Sequence, residues 1–474
     1  MVKHNYLALS AYIKDLLAGG QSGVEAIDDE TTRLIDCMES RESDIRRNIM
    51  KAKSRIFVLS FVLLGLVLSG FERAAGLSAA GPSSQASLTT LAQDDPGKQS
   101  IIRVSGKLRI LALEGTPYEM GLAHGRALRR EIREIVELWK KDIETGYKTD
   151  AASFVKSLLA KTSFQSSINK WTPGLLDEVR GIADGAGLDF ETIYAYQLID
   201  EAWVIGPELV SAKCTSIGGR KTGKNPAFVS QTLDVPGFYH GYQTVLRIRD
   251  RAAGMESLVL TIPGVVALNG LNSRGVGVCV NAVTQLAFTT DGLPVAFVLR
   301  GILKTKSFNE AEKFLRKIKS AAPQNYLIGS PEGVVGFEFA GDRLTPFVPF
   351  EGAEFTYHTN HPMANDNYNP KFLEPLKARG RTLGQMKNSC PRFNFLRQTL
   401  RDNSAALGLD DLKGLYRDRK SGINNAGTYA CTIMLLKDNP ELHISPGRPD
   451  EEPFQVLTFS AGPSRSSAVP RLLP

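Results

Sequence analysis

Leu128, Ile132, Ile135 and Trp139 recur at three- and four-residue spacing with Arg and Glu between them, the stripe of an amphipathic helix. Its approach is marked upstream. Thr116 suits an N-cap, Pro117 the first helical turn, and Glu119 completes a capping box, so Glu119 reads as a cap and not as an acid catalyst. Helical pattern continues to about residue 200. From 214 the period shortens to that of strands: 245–248, 258–262, 265–271, 276–280, 326–328, 334–339 and 355–358, with 429–436 and 441–445 closing the run. Asn272-Ser-Arg-Gly275 predicts a hairpin turn between two of them. Helical patterns near 294–320 and 393–418 interrupt the strands. Strands grouped in hairpins with helices in blocks predict an α+β layered fold with antiparallel sheets, not a parallel βαβ sheet.

One apolar stretch stands outside this scheme. Ile56–Phe71 is a run of 16 residues without a charge. As a helix it would reach about 24 Å, short of the ~30 Å hydrocarbon core of a bilayer. Arg46, Arg47, Lys51, Lys53 and Arg55 precede it, and small residues suited to signal-peptidase cleavage lie around Ala79–Gly81. Residues 46–80 therefore read as an export signal, with a membrane anchor through residues 56–71 as the alternative. Arg46–Lys51 partly matches a twin-arginine signal, though no Ser or Thr precedes the pair. Leu68-Ser69-Gly70 is followed by Phe71 where a lipoprotein would need Cys, which excludes lipid anchoring there. Residues 1–45 are an uncertain N-terminal extension, since a start at Met50 would suffice for a signal. Residues 81–100 read as a flexible linker. The organisation expected beyond is a helical segment over 101–213 and a second unit over 214–474.

Composition narrows the function classes. The 474 residues are 42% hydrophobic and 23% charged, which excludes fibrous and wholly disordered readings. A net charge of +7 on a chain of this length is mild, and no recognition motif accompanies it, so no nucleic-acid partner is expected. Cys37, Cys214, Cys279, Cys390 and Cys431 are odd in number and widely spaced, fitting neither a disulfide framework nor a paired-thiolate metal site. Cys279, Cys390 and Cys431 read as buried thiols. His358 and His361 have metal-like spacing, but on a strand they would face opposite ways and no third ligand is evident. No metal or cofactor is implied.

Cys214 is the residue of interest, placed where helical pattern gives way to strand. Downstream come Gln231-Thr-Leu-Asp234, then Gly270-Leu-Asn272-Ser-Arg-Gly275, Asn281, and His358-Thr-Asn360-His361. With Gly115-Thr-Pro-Tyr-Glu-Met-Gly-Leu-Ala-His124-Gly125 upstream, this order resembles the isopenicillin-N acyltransferase family of N-terminal nucleophile (Ntn) hydrolases, over roughly 108–460. The resemblance implies an αββα sandwich of two antiparallel sheets preceded by a mainly helical pro-segment. It also implies a precursor that cuts itself before Cys214 into an alpha and a beta chain. Cys214 would be the nucleophile, Asp234 would orient the freed α-amine, and Asn360 would stabilise the oxyanion. Gln231 and Asn281 would contact substrate.

The chemistry has a clear logic. A thiol with pKa about 8.5 is mostly protonated at neutral pH, whereas a freed α-amine of pKa about 7.7–8.0 can act as its base. The expected partner is a small-molecule amide or a peptide, attacked through an acyl thioester. Two departures from the family stand out: Lys213 where the acyltransferase has Gly before the nucleophile, and no late arginine near 424–428. The enzyme rival is a papain-like protease, which would want its Cys at a helix start. The non-enzyme rival is an exported or anchored binding protein on a degenerate Ntn scaffold.

Overall fold

The computed structural model describes residues 102–205, 213–402 and 407–460. The N-terminal extension, the export or anchor segment and the linker read from the sequence lie outside the described residues. Among the described residues no helix is long and apolar enough to cross a membrane.

The first elements are a hairpin, β1 (Ile102–Ser105) and β2 (Leu108–Glu114). Seven helices follow: α1 (Pro117–Ala127), α2 (Arg129–Tyr147), α3 (Ala151–Ala160), α4 (Phe164–Trp171), α5 (Leu175–Ala186), α6 (Phe190–Tyr196) and α7 (Ile199–Ile205). Their starts obey local chemistry. Thr116 and Glu119 form the capping box of α1, and Asp150 and Asp189 cap α3 and α6 by accepting from the backbone N–H three residues on.

Strands β3 (Thr215–Gly219), β4 (Ala227–Asp234), β5 (Thr244–Asp250), β6 (Met255–Thr261), β7 (Asn269–Asn272) and β8 (Gly277–Ala282) come next. Asn272 closes the β7–β8 turn, its Oδ1 accepting from Arg274 and Val276 N–H at 3.0 Å, and Gly275 takes the left-handed φ of +80° that the turn needs. Helices α8 (Val295–Leu303) and α9 (Phe308–Lys317) lead into β9 (Ser320–Ser330), β10 (Gly333–Gly341), β11 (Arg343–Phe347) and β12 (Phe355–His358). Helices α10 (Pro370–Ala378), α11 (Leu383–Lys387), α12 (Pro391–Asp402) and α13 (Leu409–Arg417) precede β13 (Thr428–Leu436), β14 (Glu441–Ser445) and β15 (Gln455–Thr458).

Two sheets result. The larger has the order β1-β2-β5-β6-β7-β8-β9-β10-β11, the smaller β12-β3-β4-β13-β14-β15. Period-two alternation decides which side each residue faces. On β13, Ala430, Met434 and Leu436 belong to the main core with the larger sheet, while Cys431, Ile433 and Leu435 pack with Phe393, Leu396, Leu412 and Leu415 of α12 and α13. Helices thus cover the outer side of each sheet, which is the αββα arrangement expected.

Three features depart from the sequence reading. The segment 101–213 opens with a hairpin that extends the larger sheet. Its β2 runs parallel to β5, with Ile110 opposite Val245, so one ladder is not antiparallel. The pair forms across a long connection that holds seven helices and strands β3 and β4, which leaves no turn geometry to force an antiparallel return. Helices α10 and α11 also escaped the pattern reading, because neither buries an apolar stripe.

The motif around Gly121, His124 and Gly125 is a packing device. Helices α1 and α5 cross so closely that a Cβ on Gly121 would lie 1.9 Å from Glu178 O, and one on Gly181 would lie 2.2 Å from Tyr118 O. His124, fully buried, accepts from Gly264 N–H at 3.1 Å through Nε2. Burial drives its pKa down to about 3, so it is a neutral core histidine.

Candidate active site

Cys214 immediately precedes β3 and is 6% exposed. A strand start, and not a helix start, holds it, contrary to the papain-like alternative. Its neighbour in the smaller sheet is the end of β4. The Asp234 N–H points to Sγ at 3.4 Å, and the thiol reaches Asp234 O at 3.7 Å. Burial, then the negative charge of Asp234, pushes the thiol up to about 12. At neutral pH the thiol is therefore protonated and needs a base.

Asp234, whose backbone touches Sγ, is a candidate. Its Oδ2 accepts from Asn425 Nδ2, while its Oδ1 is buried and has no hydrogen-bond partner. Burial raises this carboxyl to about 7, against the opposing hydrogen bonds of Asn425 and Thr428. A buried acceptor left open on a residue whose backbone touches the nucleophile is suited to take or hold a proton. The stretch 424–428, which lacks the late arginine, thus supplies Asn425 to hold Asp234.

Asn360 follows β12. Its Nδ2 donates to Ala282 O at 3.1 Å, and its Oδ1 accepts from Arg392 Nη2 at 3.2 Å. The loop that carries it is held by Glu338, whose carboxylate accepts from His358 Nε2 at 2.8 Å and from the N–H of Ala364 and Asn365 at 2.9 and 2.6 Å. Burial alone would raise the Glu338 carboxyl, but the bonds from His358 and the loop backbone hold it below the ordinary range. His358 is thereby a strut for the loop. Among the described residues no cluster of metal-ligating side chains forms.

Arg392, second residue of α12, ties these groups together. Its Nη1 donates to Lys213 O at 2.5 Å, to Cys214 O at 2.7 Å and to Thr215 Oγ1 at 2.7 Å. No motif announces Arg392, since it arrives from a helix whose pattern is merely amphipathic. Cys390, two residues earlier, corrects an expectation. It is half-buried at the N-terminus of α12 instead of fully buried, near Thr359 Oγ1 at 3.5 Å. Burial would raise its pKa, but hydrogen bonding to His361 and Thr359 lowers it to about 6.

Gln231 and Asn281 lie elsewhere. Both are fully buried in a polar seam between the sheets. Gln231 Oε1 accepts from Asn269 Nδ2 at 2.9 Å and its Nε2 donates to Val280 O, so both ends of the amide are engaged. Asn281 Oδ1 accepts from Ser216 Oγ at 2.6 Å and Asn325 Nδ2 at 3.1 Å. They link the two sheets, and Asn281 keeps its Nδ2 without a partner between Val280 and Ala282, which line the pocket beside Cys214. Cys214, Asp234 and Asn360 are brought into one cluster.

Cys214 and Asp234 border a small, partly open pocket of about 40 Å³. Trp203, Leu233, Tyr239, Ile262, Val295 and Leu299 make most of its wall apolar, with Asp200 and Gln324, hydrogen-bonded at 2.8 Å, as polar exceptions. The chemistry of this wall suits a small apolar group beside the thiol.

If Asp234 is the base, self-cleavage of the precursor has a defined pH dependence. The rate should rise with pH as this carboxyl ionises through about pH 7 and level off above. Asp234→Asn should be slow throughout and lack that inflection, read by the fraction of cut chain against time. An unchanged profile in Asp234→Asn would remove the aspartate from this role.

Residues 242–434 match the family model described as acyl-coenzyme A:6-aminopenicillanic acid acyl-transferase. The chain is 26% identical over 365 residues to the acyl-coenzyme A:6-aminopenicillanic-acid-acyltransferase 40 kDa form of Emericella nidulans, covering 73% of this chain and 95% of that one. Among solved structures it is similar to a mutant conjugated bile acid hydrolase from Clostridium perfringens, with 14% identity, a TM-score of 0.32, and coverage of 52% and 96%. A penicillin V acylase from Agrobacterium tumefaciens gives 15% identity, a TM-score of 0.29, and coverage of 48% and 82%.

Proposed function

We propose, from the premise that this chain belongs to the acyl-coenzyme A:6-aminopenicillanic acid acyl-transferase family, that it is a cysteine-nucleophile amidohydrolase or acyltransferase activated by cutting itself before Cys214. The observation that carries this reading is the thiol of Cys214 against Asp234 at the mouth of an apolar pocket, with a carboxylate oxygen of Asp234 left open. In the precursor the thiol gives its proton to that oxygen and adds to the Lys213 carbonyl carbon. The Lys213–Cys214 C–N bond then breaks with its electron pair staying on nitrogen, which keeps its own hydrogen and takes the proton back from Asp234. Water hydrolyses the resulting thioester, leaving a carboxylate on Lys213 and a free α-amine on Cys214.

That amine then serves as base for turnover, oriented by Asp234. The thiolate adds to a substrate amide carbonyl, the amine portion leaves, and the acyl thioester passes to water or to a second amine. Asn360 is the side chain proposed to stabilise the substrate oxyanion, with its Nδ2 released from Ala282 O. The apolar pocket wall supports an apolar acyl group on a small-molecule amide or peptide. We further propose that residues 46–80 export the protein, or anchor it through 56–71.

Intact mass and N-terminal sequencing of the wild-type protein test both parts. The expected result is two fragments, one running from Cys214 to Pro474 and one ending at Lys213. The start of the second reports whether the signal is removed. An uncut protein that hydrolyses amides at full rate would sink the mechanism.

A further inference from the structure

The guanidinium of Arg392 occupies an unusual place. Among the described residues no carboxylate pairs with it. Its Nη1 is spent on backbone and hydroxyl oxygens, and the shortest contact, 2.5 Å, is to the carbonyl oxygen of Lys213. That carbonyl belongs to the peptide bond proposed to be cut. We infer that Arg392 is the oxyanion donor of self-cleavage, a reading that rests on Cys214 being the self-cleaving residue.

The electrostatics favour this assignment. When the thiol adds to the Lys213 carbonyl carbon, the C=O electron pair moves onto oxygen and a full negative charge develops where a partial one stood. A charge-assisted hydrogen bond strengthens with that change, so the contact is worth more in the transition state than in the ground state. No side chain has to move to meet the charge, because the donor is already in contact. The proton leaving sulfur goes to Asp234 Oδ1 and then to the departing nitrogen, so Arg392 need not exchange one.

The rest of the fork fixes its aim. Nη1 also holds Cys214 O and Thr215 Oγ1, and Nη2 holds Asn360 Oδ1, so the guanidinium spans both sides of the scissile bond and reaches the loop that Glu338 anchors. This answers the departure at Lys213. Where a Gly would let the backbone adapt around the nucleophile, here an arginine grips the carbonyl from outside.

Full-length precursor made by cell-free synthesis, followed by intact mass against time, gives the first-order rate of cutting before Cys214. Arg392→Met should cut about 10²–10³-fold more slowly, the usual cost of one oxyanion donor. Arg392→Lys, which keeps a charged donor but not the fork, should recover part of that loss. Arg392→Ala should be accelerated by added guanidinium ion at millimolar concentration. Circular dichroism and thermal melting establish that each variant is folded. A folded Arg392→Met that cuts at the wild-type rate overturns the inference while leaving the nucleophile reading intact. Slow cutting that neither lysine nor guanidinium restores also overturns it, making Arg392 a structural clamp only. Wild-type protein that is never cut before Cys214 removes the underlying reading and this inference together.

Discussion

Purified Cys214→Ala is expected to remain a single chain and to lose amide cleavage altogether, by about 10⁴-fold or more. The alanine removes both the atom that attacks the Lys213 carbonyl and the atom that carries the acyl group in turnover. The two losses must therefore appear together. Cys214→Ser separates them in degree. A hydroxyl is less acidic still than a thiol already pushed to about 12, and it places greater demand on Asp234 as base. Its self-cleavage should be slower than wild type and steeper in its need for the ionised carboxyl. Intact mass follows the first event, and release of amine from a panel of N-acyl amines follows the second. A Cys214→Ala protein that is still cut after Lys213, or that still turns over substrate, would move the nucleophile elsewhere. Cys390, half-buried where Cys214 is buried, would then come first, since its pKa is lowered to about 6.

What could be read from the sequence follows from range. Local chemistry reads well: Thr116 and Glu119 announce α1, and Asn272 with Gly275 announces the β7–β8 turn, because each acts on backbone groups within a few residues. Period two located β5, β6, β8, β9 and β10 of the larger sheet, where alternate residues face the core. The hairpin of β1 and β2 was not legible, because its identity as part of the larger sheet is conferred by β5, more than a hundred residues on. In the site, Cys214, Asp234 and Asn360 could be picked out by their order along the chain. The groups that control them could not. Arg392, Asn425 and Glu338 reach the site from three separate elements, and nothing in their own neighbourhoods distinguishes them from surface arginine, loop asparagine or a strand glutamate. For Gln231 and Asn281 the sequence gives the position but not the surroundings, which are buried between the sheets. A polar residue on a strand looks the same in sequence whether it faces a ligand or cross-links two sheets.

The largest effect on stability is expected at Glu178. This carboxylate on α5 is 1% exposed and binds Arg300 of α8 through both oxygens, at 2.6 and 2.8 Å, with the arginine 4% exposed. Removing either charge alone leaves the other stranded in the core, where a broken buried pair costs about 3–5 kcal/mol. Glu178→Gln preserves the volume and so isolates the charge effect. Its urea midpoint should fall by that amount of free energy with the slope of the transition unchanged. The double change Glu178→Leu with Arg300→Met should recover most of the loss, because apolar groups of similar size need no partner. The position matters beyond stability. α8 also presents Val295 and Leu299 to the pocket, and α5 is the helix against which Gly121 and Gly125 let α1 pack without a Cβ between them. The ion pair therefore braces the pocket wall from behind. Glu178→Gln should raise the KM of an apolar amide more than it lowers kcat, since it loosens the wall that contacts the acyl chain and leaves the thiol, Asp234 and Arg392 untouched. A stability loss under about 1 kcal/mol would mean that Arg300 has found water or another acceptor, and the brace would have to be assigned to the glycine crossing alone.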